Sequence, residues 1–208
     1  MERENPIAAF VQTLTLREAL KPEEGGKWGV VQAKDVGYDG KLNLSSIHRV
    51  RHLEWKRERE PDLLNGDDVI LQSRGVSYRS GIVPEGAADL VAANGVYALR
   101  PFVDKVDPHY LVMFFNLPGT QSALRQIATG SHILNIRRDA LNTLLCELAV
   151  TLPSIREQRR FAALAHEIQR AHCIETRLHE LRRGQLEGLI ARGVTSKTRI
   201  ARGDANER

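Results

Sequence analysis

Thr151–Ile190 reads TLPSIREQRRFAALAHEIQRAHCIETRLHELRRGQLEGLI, and this stretch decides the fold. Pro153 blocks helix upstream, Ser154 is placed to act as an N-cap, and no further proline occurs before the C-terminus. Gly193 is the first strong stop signal, with Gly184 and Gly188 weakening the last turns. From Ser154 to Arg192 the pattern predicts roughly 55 Å of rod, longer than an ordinary globular helix. Phe161, Leu164, Ile168 and Ala171 step by three and four. After a three-residue slip, Ile174, Leu178 and Leu181 continue the stripe. This is a heptad seam with a stammer, too long for one modest domain to cover, and it calls for a partner helix.

The chain around it has 208 residues, enough for one domain and an appendage. Its 42% hydrophobic and 5% aromatic content suits a soluble protein with a modest core. No run approaches the ~20 apolar residues of a membrane span, and MERENPIAAF lacks the layout of a signal peptide. Cys146 and Cys173 form no CxxC pair and fall on different predicted elements, which fits reduced thiols and a cytoplasmic location. From Ser154 onward there are 12 Lys/Arg against 7 Asp/Glu, while residues 1–153 hold 18 against 19. The net charge of +4 therefore lies in the C-terminal part. Such a balance permits nucleic acid as a partner, and equally permits a solvated basic face.

Upstream, FVQTLTLREAL is a short amphipathic stretch stopped by KPEEGG. WGVVQAKDV alternates as a half-buried strand should, GYDGK is a turn, and LNLSSIHRV is read as a second strand. RHLEWKREREPD is a charge run. A turn at Asn65-Gly66-Asp67 precedes a strand over Val69–Gln72 and a basic, glycine-bounded loop from Ser73 to Gly81. LVAANGVYALRPF reads as a strand pair around Asn94-Gly95, the strongest short hairpin signal in the chain. Two short helices are predicted, Pro108 to Asn116 and Thr120 to Ala128. A strand near Ile133–Ile136, a helix start at Asp139 and a strand leading to Pro153 follow. Residues 1–153 thus form a mixed α+β domain to which the long helix is appended.

Several chemistries are missing from the pattern. No Walker phosphate loop, dinucleotide-binding GxGxxG or methyl-transfer signature occurs. HEIQRAH lacks the i, i+4 histidine spacing of a zinc protease, and His172 and His179 suit polar coiled-coil positions better than a metal. Asp39 with Glu54-Trp55-Lys56 imitates the carboxylate–carboxylate–lysine set of a metal-dependent nuclease. Solvated surface explains that charge run more simply.

Four segments, in order, resemble one target recognition domain and one conserved helical region of a type I restriction–modification specificity subunit. They are WGVVQAKDVGYDGKLNL, LLNGDDVILQSRG, GVYALRPFVDKVDPHYLVMFFN and ATGSHILNIRRDALNTLLCELAVTLPSIREQRRFAAL. The second resembles the recurrent L-x-x-G-D-(V/I)-(L/I) strand. The last resembles the stretch in which a Gly-Ser loop leads to L-P-x-x-x-E-Q and the long helix. Full-length members carry two recognition domains and two such helices; this chain carries one of each. The resemblance therefore implies a half-subunit or a single-domain version that pairs with itself.

What it implies is an α+β fold: a target recognition domain over 1–153, a coiled-coil helix over 154–193 and a flexible tail over 194–208. The helix would form an antiparallel coiled coil in a homodimer, its interface made by Phe161, Leu164, Ile168, Ala171, Ile174, Leu178 and Leu181. Two identical domains would read a split, palindromic site in double-stranded DNA. The protein would perform no catalysis and hold no metal or cofactor. It would recruit a DNA methyltransferase subunit, and with it a restriction subunit in a complete complex. Expected DNA contacts lie in loops: Ser73, Arg74, Ser77, Tyr78 and Arg79 in the basic loop, then Ser131, His132, Asn135, Arg137 and Arg138, and Lys34 after the first strand. Arginine can bond both guanine acceptors. Tyr78 also suits half-buried core, Asp35 suits a turn or cap, and Arg159 and Arg160 suit DNA backbone or the methyltransferase. The rival readings are a nuclease on Asp39, Glu54 and Lys56, and a coiled-coil scaffold with no DNA role.

Overall fold

The computed structural model describes residues 5–13, 25–51 and 62–203, with side chains through Ile190. Along the chain come β1 (Ala8–Val11), β2 (Trp28–Val31), β3 (His48–Val50), β4 (Val69–Gln72), β5 (Ser80–Ile82), β6 (Leu90–Ala92) and β7 (Val96–Pro101). Then follow α1 (Pro108–Asn116), α2 (Pro118–Ile127), β8 (Ala128–Thr129), β9 (Asn135–Ile136), α3 (Arg138–Thr151) and α4 (Ile155–Gly203). The chain divides into two compact units, Met1–Ala163 and Leu164–Arg208. The division falls inside α4 rather than at residue 153.

In the first unit, β4 is buried along its whole length because both of its faces are covered. It lies in a four-stranded antiparallel sheet of order β1-β7-β4-β5, with Val69 opposite Leu99 and Ile70 opposite Ala98. Successive side chains of a strand point to opposite faces. Val69, Leu71 and Leu99 therefore pack with Leu111, Phe115, Leu124, Leu141 and Leu145 of the helices. Ile70 and Ala98 pack on the other side with Val31, Leu90 and Ala92 of a three-stranded sheet of order β3-β2-β6. One helical layer and these two sheets result, with β8 and β9 pairing as a third, two-stranded sheet.

The Asn94-Gly95 turn forms, with φ of +102° at Gly95, but it does not close a hairpin. Its two strands part into different sheets: β6 runs parallel to β2, while β7 pairs with β1 and β4. The turn chemistry reports a local reversal only. Pairing follows burial, and Leu90, Val91 and Ala92 are all buried between layers. The strand expected before Pro153 is instead the end of α3, whose Leu141, Leu145 and Leu148 share one buried face at helical spacing. LNLSSIHRV yields a strand only at its end, after a 3-10 turn over Leu44–Ser46. FVQTLTLREAL contains part of β1, and the rest lies mostly outside the described residues, as does most of RHLEWKREREPD.

Helix α4 starts with a reciprocal cap. Ser154 N–H and Oγ–H donate to the Glu157 carboxylate at 3.0 and 2.6 Å, and Glu157 N–H returns to Ser154 Oγ at 3.4 Å. These bonds hold the Glu157 carboxyl below the usual glutamate range, the Ser154 hydroxyl first and its backbone N–H second. A depressed carboxyl stabilises the helix start above the ordinary glutamate value and loses that contribution as pH falls through its own lower value. Ser154→Ala is therefore expected to raise the Glu157 titration midpoint, as followed by NMR, and to loosen the first turn. The helix passes Gly193 and runs to Gly203, so the region expected to be a tail begins as helix. An interior glycine costs only ~1 kcal/mol against alanine, too little to end a helix by itself.

One turn on, Gln158 is 1% exposed. Its Oε1 accepts from Asp107 N–H at 2.9 Å, and its Nε2 donates to the carbonyls of Pro153 and Lys105 at 2.9 and 3.1 Å. The glutamine of the L-P-x-x-x-E-Q stretch is thus a latch between the start of α4 and the start of α1. Gln158→Leu strips three buried backbone groups of their partner and is expected to cost about 2–4 kcal/mol in urea unfolding.

Leu164–Arg208 is described by α4 alone. Six large side chains of the expected seam, Phe161 through Leu181, are between 44% and 62% exposed, and Ala171 is exposed as well. Among the described residues, no helix is long and apolar enough to cross a membrane.

Candidate nucleic-acid interface

Three loops that the sequence separates are tied into one surface of the first unit. The basic loop after β4 and the loop before β9 bond to each other through their backbones. Ile136 N–H donates to Ser73 O at 2.9 Å, Gly75 N–H donates to Leu134 O at 3.0 Å, and Arg74 bridges to Asn135. Tyr97 of β7 fixes the same place, its hydroxyl donating to Ile136 O at 2.8 Å. Burial pushes the Tyr97 phenol up, so it remains a neutral donor. Glycine is required at 130, where a Cβ would collide with the Ile133 carbonyl.

Gln72, buried at the end of β4, joins the third loop. Its Nε2 donates to Ala33 O at 2.5 Å, and its Oε1 accepts from Arg79 N–H at 3.3 Å and Ser77 Oγ at 3.4 Å. Ala33 begins the 3-10 turn Ala33–Asp35 that carries Lys34. Asp35 is buried in that turn, accepting from Gln32 N–H at 2.8 Å and Ser46 Oγ at 2.6 Å, so it is a cap. Sequence reading passed over Gln72, since a polar residue closing an apolar run gives no sign of what it reaches 39 positions away.

The expected contact residues divide. Lys34, Arg74, Ser131, His132 and Arg137 are exposed, and Ser77, Arg79 and Asn135 are half-buried. Ser73 and Tyr78 are buried; Tyr78 belongs to the helical core, and its backbone is clamped on both sides by Gln121. Lys34 Nζ lies 2.8 Å from His48 Nε2. Arg137 is paired with Asp139 at 2.9 Å. Arg138 lies 4.4 Å over the Phe10 ring and lines a groove between β1 and α3 with Asn142, Thr143 and Cys146. Arg74 and Arg79 have no carboxylate partner among the described residues. Arg79 instead sits 4.1 Å over the ring of Tyr38, a residue the sequence reading did not single out. Arg159 approaches Asp107 at 3.8 Å.

Of the nuclease set, only Asp39 falls among the described residues. Asp39 caps its own turn by accepting from Lys41 N–H at 3.2 Å, while Glu54 and Lys56 lie outside the described residues. No cluster of three or more His, Cys, Asp or Glu residues placed to hold a metal occurs among the described residues. The Asp68 of LLNGDDVILQ is likewise structural. It is buried, accepts from Asn65 N–H at 2.8 Å and takes Arg100 at 2.7 and 2.9 Å.

The site is a loop-borne cationic face on an α+β scaffold, the kind of surface that suits a binding protein for anionic polymers. No family model matches the chain. No curated protein matches it. Solved structures similar to it are specificity subunits of type I restriction–modification systems. The S subunit from M. genitalium is 12% identical at a TM-score of 0.43, over 71% of this chain and 36% of that one. The HsdS subunit from Thermoanaerobacter tengcongensis is 12% identical at a TM-score of 0.41, over 80% and 41%. A third, from a study of type I R-M complex assembly and conformational transition, is 15% identical at a TM-score of 0.36, over 80% and 44%. The chain thus spans less than half the length of each.

Proposed function

We propose that this chain is a non-catalytic DNA-reading subunit of a type I restriction–modification system, with one recognition domain and one spacer helix. Two copies pair through α4, read a bipartite palindromic site, and present it to a DNA methyltransferase, joined in a complete complex by a restriction subunit. The observation that carries the DNA reading is the convergence of Lys34, Arg74 and Arg79 on loops tied through Gln72. Lysine and histidine at its margin suit phosphate; an arginine with no carboxylate partner suits a guanine edge. The sequence resemblance supplies the partners. A methyltransferase must work on a base swung out of the duplex, and a subunit that grips and orients the DNA serves that chemistry.

Gel shifts on random-sequence and selected duplexes test this. Binding is expected to weaken steeply from roughly 50 to 200 mM salt, and Arg74→Ala to cost about 1–3 kcal/mol on the selected duplex. No retention of either duplex at any salt concentration would instead support a scaffold. Divalent-metal cutting of plasmid by the purified chain, lost in Glu54→Ala, would support the nuclease.

A further inference from the structure

The Arg79 guanidinium has no carboxylate partner among the described residues and sits over one aromatic ring. Arg100 and Arg137 are paired with Asp68 and Asp139, and Arg49 is held by the Lys27 carbonyl, while Arg138 lies over the Phe10 ring as Arg79 lies over Tyr38. Among the described residues Arg79 Nε is buried without a hydrogen-bond partner, and the guanidinium lies 4.1 Å from the centre of the Tyr38 ring.

Tyr38 is 84% exposed, unusual for a large aromatic in a structured turn. The turn that carries it is well held. Gly37 N–H donates to Lys41 O at 2.8 Å, Val36 bridges to Leu42, and Ile82 N–H of β5 donates to Gly40 O at 3.0 Å. Gly40 sits at φ +74°, the left-handed conformation such a reversal needs. A rigid turn thus presents a ring that contributes little to any core.

A half-buried arginine still loses rotational freedom at its guanidinium end when it binds a base edge, and a ring beneath the guanidinium removes part of that cost beforehand. We propose that Tyr38 is a positioning residue that holds the Arg79 guanidinium ready for a guanine edge in double-stranded DNA. The inference rests on the DNA-reading function proposed above and names one position within it. Gln72 completes the arrangement from the other side, since its Oε1 fixes the Arg79 backbone at 3.3 Å.

The test uses the full chain and a random duplex DNA library, selected and sequenced for the wild type, Tyr38→Phe, Tyr38→Ala and Arg79→Lys. The wild type is expected to enrich a motif containing guanine. Arg79→Lys keeps the charge without the fork and is expected to flatten one guanine position by about tenfold or more. Tyr38→Ala is expected to flatten the same position by about fivefold, leaving the other positions and the salt slope in place, while Tyr38→Phe keeps the wild-type motif. Phenylalanine preserves the ring and loses only the hydroxyl, which separates positioning from a hydrogen bond. A Tyr38→Ala motif identical to the wild type would overturn the inference while leaving the DNA-reading function standing. Equal loss at every position would also overturn it, because a structural defect acts on the whole face. No motif from the wild type would overturn the proposed function and this inference together.

Discussion

Ile168→Asp combined with Ile174→Asp is expected to leave the protein monomeric and to weaken binding to a duplex with two half-sites by about 100-fold or more. Both side chains are 62% exposed on α4 of a single copy, so the charges are tolerated there and harm nothing within the first unit. In a paired helix the same positions are desolvated, and a carboxylate buried without a partner costs several kcal/mol. Each seam side chain contributes twice in a symmetric pair, which doubles the penalty. Binding to one half-site should change little, because the loops around Arg74 and Arg79 belong to the other unit. The selective loss on two half-sites therefore measures pairing rather than reading. Thr176→Asp, a polar position of the same helix away from the stripe, is expected to leave both mass and affinity unchanged. Circular dichroism on the seam variant should also show reduced helix, since a long solvated helix without tertiary support is marginal.

The second large effect concerns the fold under the reading loops. Arg100→Ala is expected to destabilise the first unit by about 3 kcal/mol, a fall in melting temperature of roughly 6–12 °C. Asp68 is 1% exposed, and Arg100 donates two hydrogen bonds to its carboxylate beside the one from Asn65 N–H. The Asp68 hydrogen bond holds the Arg100 guanidinium firmly charged. Removing the arginine leaves a buried carboxylate with one backbone N–H, the costly half of a broken pair. Asp68→Asn is expected to cost less, because the group left behind is neutral and Arg100 is 40% exposed and reaches water. Thermal melts of the two variants decide the order. An equal loss would mean that the guanidinium contributes by packing rather than by charge.

Local chemistry made some elements legible in the sequence, and long-range contacts hid others. Asp107-Pro108 announces α1 because both halves of its start are local: Pro108 needs no N–H donor in the first turn, and the Asp107 side chain accepts from Tyr110 N–H at 3.0 Å. The strand over Val69–Gln72 is a run of apolar residues bounded by a turn, and the structure has it at the same residues. Asn94-Gly95 announces a turn and says nothing of which sheet each arm joins. Val150-Thr151 suggests strand by residue type, whereas the Leu141, Leu145 and Leu148 spacing is what the core uses.

The candidate interface divides in the same way. Arg74 and Arg79 stand out by residue type in a glycine-bounded loop, and His132 and Asn135 in a second polar cluster, both local signals. Their meeting depends on backbone bonds spanning about sixty residues, from Ser73 to Ile136, which no periodicity reports. Tyr78 suits both loop and core by residue type, and its ring fills the helical core. Tyr38 escaped notice because a tyrosine between two glycines reads as turn filler, and only the Arg79 contact gives it a role.

In the proposed pairing, a second copy covers the α4 seam. The solution mass of the full chain by sedimentation at micromolar concentration tests it most directly. The expected species has about twice the 23.3 kDa chain mass and reverts to the single mass in the Ile168→Asp, Ile174→Asp variant. A wild-type species at the single-chain mass across that range, with α4 still helical, would contradict it.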